Sequence, residues 1–186
     1  MGADVERQIF RDGVAAVISL TYARTMETYN RWMNDRLYDC CGKLTGEERK
    51  RDVGAFFKSI HGTLNHLLLG DRVWLGRFTG KPFVVKSLDQ ELYSDFAQLR
   101  SERSATDVAI SDWISNLSEA DLAGELSYVS VANPKPRRYP LWVAVTHFFN
   151  HQTHHRGQLT TLLVQRGIDP GVTDLIWLPE LQREPV

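Results

Sequence analysis

The chain has 186 residues, of which 42% are hydrophobic and 24% charged, close to the averages for globular proteins, so its composition excludes a disordered or fibrous protein. This length favours a single domain, residues 1–186, with a core large enough to fold without a structural metal. The formal net charge of -1 excludes the broad positive field that binds a phosphate backbone, and we expect no nucleic-acid partner.

The cellular location is inferred from apolar segments and cysteines. Residues 1–10 are charged and lack the apolar stretch of a cleavable signal, and no run of about 18 apolar residues occurs. Cys40 and Cys41 are adjacent in a helical pattern, where their side chains diverge too far to pair easily. We therefore expect a cytoplasmic protein that does not enter a membrane.

Four long segments carry hydrophobic residues at intervals of three and four, as on the buried face of an amphipathic helix. The predicted helices span residues 19–42, 53–78, 89–117 and 140–167. The third pattern is less regular near residues 101–106, where we expect a kink. Four long helices with little strand predict an all-α four-helix bundle.

The connecting segments are short and contain turn signals. Thr45 and Glu48 have the spacing of a capping box, which indicates a turn of helix after the first long one. Alternating apolar residues at 125–131, followed by a turn-rich stretch at 133–140, predict a short hairpin or extended crossover between helices three and four. Residues 174–181 predict one more helical turn.

Four of the six histidines fall within nine residues of the fourth predicted helix: His147, His151, His154 and His155. At about 100° per residue they share one face, whose neighbouring positions are apolar. Buried imidazoles need partners for their nitrogens, so this cluster indicates a metal site. Histidines four residues apart can hold one ion, but His147 and His155 are separated by about 12 Å of helix rise. The spacing alone does not choose the pair.

His66 lies midway along the second predicted helix, with Gly62 one turn before it and Gly70 one turn after. A lone buried histidine is more often a core residue, but beside a histidine pair His66 becomes a candidate ligand. Each glycine costs about 1 kcal/mol in a helix interior. We interpret the two glycines as leaving a cavity around His66 for a water and part of a substrate, and the alternative is close helix–helix contact. His61 lies about 140° from His66, and we expect no metal role for it.

A site made of imidazoles without a carboxylate is typical of a catalytic metal. Neutral ligands leave the full charge of the ion to acidify bound water or a bound thiol. Nitrogen ligands favour zinc, nickel or a similar divalent transition metal over magnesium or calcium. A ferritin-like diiron site is excluded, because no Glu-x-x-His pair occurs.

Three motifs resemble the DinB-like (DinB/YfiT-like, damage-inducible) family of bacterial helical-bundle metal proteins. They occupy residues 29–34, 59–74 and 147–158, and the last, ending in Arg-Gly-Gln, is the most specific. The resemblance extends from about residue 20 to residue 179. It implies a four-helix bundle in which His66, His151 and His155 are the metal ligands. His154 is then a neighbour, because the family accepts tyrosine at that position.

Other polar residues, His154 among them, are candidates for the surrounding pocket. We place His147, one turn before the nearer ligand on its helix, beside the metal. Asn30 and Asn34, one turn apart on the first helix, either line the same cavity or belong to a solvated polar face. Trp32 and Trp74 are interpreted as packing residues.

The resemblance also implies a class of reaction. Related proteins include metal-dependent transferases that join low-molecular-weight thiols to electrophiles, in which the metal lowers the pKa of the thiol. Two alternatives stay open: a hydrolase that uses metal-activated water, and a non-catalytic metal-binding stress-response protein. Related bundles commonly pair, so we expect a homodimer with a small-molecule substrate.

Overall fold

The computed structural model describes residues 16–130 and 135–182. Part of the predicted turn at 133–140, and the end of the predicted strand at 125–131, lie outside the described residues. The elements, in chain order, are α1 (Leu20–Gly42), α2 (Gly46–Lys50), α3 (Ile60–Phe78), α4 (Phe96–Ser115), α5 (Glu119–Leu122), β1 (Glu125–Val129), β2 (Pro136–Pro140) and α6 (Leu141–Val164), followed by two 3₁₀ turns, Leu175–Trp177 and Pro179–Leu181.

The four long helices α1, α3, α4 and α6 form the predicted bundle, which is confirmed. Helices α1 and α3 each pack against both α4 and α6. The apolar stripes of the four helices meet in one core, whose fully buried members include Leu37, Leu64, Leu68, Ile110, Phe148 and Phe149. Within the described part of the chain, no helix combines the length and apolar character needed to cross a membrane.

The predicted connection between helices three and four is a hairpin. Strands β1 and β2 pair antiparallel, with Leu126 opposite Tyr139 and Tyr128 opposite Arg137. The backbone N–H of Leu141 donates to the carbonyl of Gly124, which attaches the first residue of α6 to the start of the hairpin. The hairpin therefore lies beside the N-terminal end of α6.

Helix α3 begins at Ile60, seven residues later than the sequence predicts. Gly54 and Lys58 have positive φ angles of 70° and 65°, which an α-helix cannot contain. The hydroxyl of Ser59 accepts a hydrogen bond from the backbone N–H of Gly62 and caps the helix. Residues 51–59 consequently form a loop instead of the predicted first two turns.

Helix α4 also begins later than predicted, at Phe96 instead of residue 89. The carboxylate of Asp95 accepts a hydrogen bond from the backbone N–H of Gln98, which fixes the start of the helix. The capping box of Thr45 and Glu48 at α2 is present as predicted.

The predicted kink in helix three is wrong, because α4 runs without interruption from Phe96 to Ser115. Its irregular pattern reflects a buried ionic face. Arg103 is buried and donates to Asp71 at 2.6 Å and to Asp107 at 2.8 Å. Asn34 donates to the same Asp107 carboxylate at 2.9 Å. Buried polar residues in place of apolar ones break the hydrophobic periodicity while the helix continues.

Candidate metal centre

Three histidines converge between α3 and α6. His66 lies in the middle of α3, and His151 and His155 lie one turn apart on α6. The Nε2 atom of His66 is 3.2 Å from the Nε2 atoms of both His151 and His155. One ligand atom from each residue lies within 4.8 Å of the others, so this triad can hold one metal ion.

The spacing of the triad suits a transition metal. Zinc–nitrogen bonds of about 2.0–2.1 Å in tetrahedral geometry separate two ligand nitrogens by about 3.3 Å. The two separations of 3.2 Å in the triad are close to that value. The donors are neutral imidazoles, which zinc, nickel and similar ions prefer. The third separation, between the ligand atoms of His151 and His155, is within 4.8 Å. The three residues can therefore hold a divalent transition metal ion.

Two outer hydrogen bonds orient the ligand nitrogens. The Nδ1 atom of His66 lies 2.8 Å from the carbonyl oxygen of Leu88, and Nδ1 of His155 lies 2.8 Å from Oε1 of Gln158. Because both acceptors are carbonyl oxygens, each Nδ1 carries the proton and donates. Each Nε2 then presents its lone pair to the centre of the triad, as a metal ligand requires.

Burial keeps the imidazoles neutral. Desolvation lowers the pKa of His66 to about 4. It lowers the pKa of His151 to about 3, with further contributions from His155 and His66. The pKa of His155 is also lowered by burial. At neutral pH, protons therefore do not compete for the lone pairs that face the centre.

The glycines that flank His66 do not leave the predicted cavity. A Cβ atom at Gly70 would lie 2.9 Å from Cε1 of His151, and one at Gly62 would collide with the backbone carbonyl of Phe57. The Cβ position of Gly70 thus faces the ring of His151, and that of Gly62 faces the loop at 51–59. Gly62 does line a cavity of about 320 Å³, but His66 is not among its lining residues. The prediction that both glycines leave a cavity around His66 is therefore wrong, and the alternative of close helix–helix contact holds at Gly70 alone.

Phe57, which the sequence analysis did not identify, covers one side of the triad. Its ring stacks on His66 with the centroids 3.7 Å apart and the planes 16° apart. It also meets His155 edge-on at 5.4 Å. The hydrophobic pattern predicted a helix at this residue, whereas Gly54 and the capping Ser59 were the local signals for a loop.

The remaining histidines lie outside the triad. The ring of His147 is 6.1 Å from that of His151 and 4.9 Å from Trp74, and its pKa is lowered by desolvation and by Arg77. His154 is exposed and its ring is 4.8 Å from that of His155. The Nε2 atom of His61 instead lies 2.9 Å from the carbonyl oxygen of Tyr93.

Asn30 and Asn34 are buried, so the alternative that they belong to a solvated helix face is wrong. Asn30 accepts a hydrogen bond from Arg156, and Asn34 donates to Asp107. These bonds attach both amides to polar groups buried between the helices. A role for them in the metal pocket stays a prediction.

Comparison with known proteins agrees with the motifs and the fold. The model of the DinB family matches residues 19–185. The Protein DinB of Bacillus subtilis (strain 168) is 26% identical over 162 residues, which cover 82% of this chain and 91% of that protein. A crystal structure of a DinB-like protein from Bacillus cereus ATCC 10987 has a similar fold, with a TM-score of 0.56 and 21% identity over 76% of this chain and 91% of that chain. The chain belongs to the DinB family.

Proposed function

We propose that His66, His151 and His155 bind one divalent transition metal ion, zinc or nickel, and that the resulting centre is catalytic. The observation that carries this proposal is the convergence of three neutral imidazole nitrogens, 3.2 Å apart in two pairs. No carboxylate belongs to this cluster in the part of the chain that the structure describes. Such a ligand set leaves a coordination position for a substrate.

The reaction that we favour is the transfer of a small thiol to an electrophile. A divalent ion in the triad would act as a Lewis acid that lowers the pKa of a thiol or of water. His147 is exposed beside His151, and its lowered pKa keeps it neutral at pH 7. We propose His147 as the group that accepts the proton released by the thiol. Hydrolysis would use the same residues in the same roles, with water in place of the thiol.

A non-catalytic metal-binding role is the second candidate, and the position of Phe57 favours it. A ring stacked on His66 at 3.7 Å restricts access to the triad from that side. A storage or sensor site benefits from such a cover, whereas an enzyme needs a route for its substrate. The two roles therefore differ in whether a small thiol can reach the ion.

Metal content tests the ligand assignment. The purified wild-type protein should contain about one transition metal ion per chain, and the variants His66→Ala and His151→Ala should contain little. His154→Ala is the matched control, because it removes an exposed imidazole from the same helix and leaves the triad intact. Wild-type metal content in both triad variants would refute the assignment.

A cobalt-substituted protein then separates the candidate roles. Addition of 2-mercaptoethanol should change the visible absorption spectrum if the thiol binds the ion. A spectrum that stays unchanged with 2-mercaptoethanol and with other small nucleophiles would contradict the catalytic proposal and support the binding role.

A further inference from the structure

A groove lined mainly by apolar and aromatic side chains lies beside the triad, at the junction of α3, α6 and the hairpin. Its volume is about 230 Å³, enough for a small molecule. The groove is lined by Trp74, Tyr128, Tyr139, Val143, Ala144 and His147. Pockets of this kind, with an apolar lining and few polar groups, are typical of small-ligand sites.

The guanidinium of Arg77 contacts two of the rings that line this groove, although Arg77 is not itself a lining residue. The guanidinium carbon of Arg77 lies 4.4 Å from the ring centroid of Trp74 and 4.2 Å from that of Tyr128. Arg77 forms no salt bridge within the described residues, although five other arginines of the chain do. A half-buried guanidinium held between two rings, with its charge not neutralised, suits an anionic ligand.

The groove and the triad lie along the same face of α3. His66, Gly70, Trp74 and Arg77 follow one another at intervals of three and four residues and share one face of this helix. Gly70 lies against the ring of His151, and Trp74 lies against His147. The helix rises about 10 Å between Gly70 and Arg77. Arg77 therefore lies about 10 Å along the helix from Gly70, which contacts the triad residue His151.

His147 lies between the groove and the triad. Its ring lines the groove and lies 6.1 Å from the ring of His151. A ligand whose anionic end is near Arg77 and whose body lies along Trp74 would place its other end at His147, beside the triad.

We infer that the substrate bound in this groove is a small organic carboxylate with an apolar body about 10 Å long. Its carboxylate pairs with Arg77, and its far end points past His147 toward the triad. The inference rests on the proposed function, because it names the substrate class of that site. It adds a specificity-determining residue, Arg77, that no ligand motif of the sequence contains.

Binding of a matched pair of probes tests the inference. The probes are 4-phenylbutyrate and its uncharged analogue 4-phenylbutyramide, titrated calorimetrically into zinc-loaded and EDTA-treated protein. The carboxylate should bind the wild-type protein about tenfold more tightly than the amide, as a charge-assisted hydrogen bond provides. Arg77→Met should reduce the affinity for the carboxylate to that for the amide, whereas Arg77→Lys should keep most of the preference.

The control is Arg138→Met, which removes an exposed arginine of the adjacent hairpin that pairs with Glu125 and contacts neither Trp74 nor Tyr128 in the cation–π pairs of Arg77. Its affinities should stay within twofold of the wild type. Circular dichroism of Arg77→Met should match that of the wild type, and the Arg77→Lys result decides the question if Arg77→Met does not fold.

Three results would overturn the inference. They are the absence of saturable carboxylate binding, equal affinities for the two probes, and an Arg77→Met or Arg77→Lys result opposite to that expected. If the carboxylate probe binds only the zinc-loaded protein, and Arg77→Met does not change its affinity, the probe binds the metal and not the groove. The inference about the groove would then fail, and the proposed metal site would stand. Conversely, unchanged metal content in the triad variants would refute the metal site. Binding of the carboxylate probe to EDTA-treated protein would still support the groove.

Discussion

Gly70 is the position where one added methyl group should separate metal binding from folding. In a Gly70→Ala variant the new Cβ would lie 2.9 Å from Cε1 of His151. The ring of His151 must then move by about 0.5 Å, which is the difference between 2.9 Å and the 3.4 Å at which ordinary contact begins. Zinc sites tolerate deviations of about 0.2 Å in ligand distance. The variant should therefore weaken or lose one of three ligands.

The expected magnitudes differ for the two properties. The dissociation constant of the metal should rise at least about tenfold, which corresponds to about 1.4 kcal/mol. The free energy of unfolding of the metal-free protein should change by no more than about 1 kcal/mol, because alanine removes the helix-propensity penalty of glycine. The displaced group is a side-chain ring, which can move without moving the backbone.

Gly157→Ala on α6 is the matched control. No atom lies within 4 Å of a Cβ built at Gly157, so the substitution meets open space. It should stabilise the protein by about 0.5–1 kcal/mol and leave metal affinity unchanged. Competition with a chromophoric chelator measures metal affinity, and urea unfolding in EDTA measures stability. If Gly70→Ala binds metal within twofold of the wild type, the reasoning from the position of His151 is refuted.

Three further predictions concern the cover, the ionic core and the pH response. Phe57→Ala should release bound metal to a chelator several-fold faster in stopped-flow measurements, because it removes the ring stacked on His66. An unchanged release rate would mean that this ring does not limit access to the metal. Arg103→Met should lower the free energy of unfolding by about 3–5 kcal/mol in urea titrations, since it leaves two buried carboxylates without their cation, and a loss below about 1 kcal/mol would contradict this account. In EDTA, the free energy of unfolding should fall as the pH falls from about 6.5 toward 4. Burial lowers the pKa of His66 to about 4 and that of His151 to about 3. The unfolded chain therefore binds more protons than the folded protein in this range. His66→Asn should make this dependence shallower, and an identical slope would argue against the cause.

Local sequence patterns predicted the four long helices, apart from the starts of α3 and α4, and two of the three histidines of the site. Helical hydrogen bonds are local, so an apolar period near 3.6 residues predicts which face of each helix is buried. His151 and His155 are one turn apart on a single helix, and this spacing predicts that their imidazoles lie side by side. The motif around them also predicted the DinB family, which the family model confirms.

Contacts between segments that are far apart in the chain depend on how the helices pack. The distance between His66 and His155, which are 89 positions apart, depends on how α3 packs against α6. Phe57 reaches the triad only because Gly54 and Lys58 turn the loop at 51–59 with positive φ angles. The irregular pattern near residues 101–106 predicted a kink, whereas Arg103 in this stretch is buried and pairs with Asp71 of another helix. Local periodicity records each segment's own conformation, whereas long-range packing fixes which side chains meet.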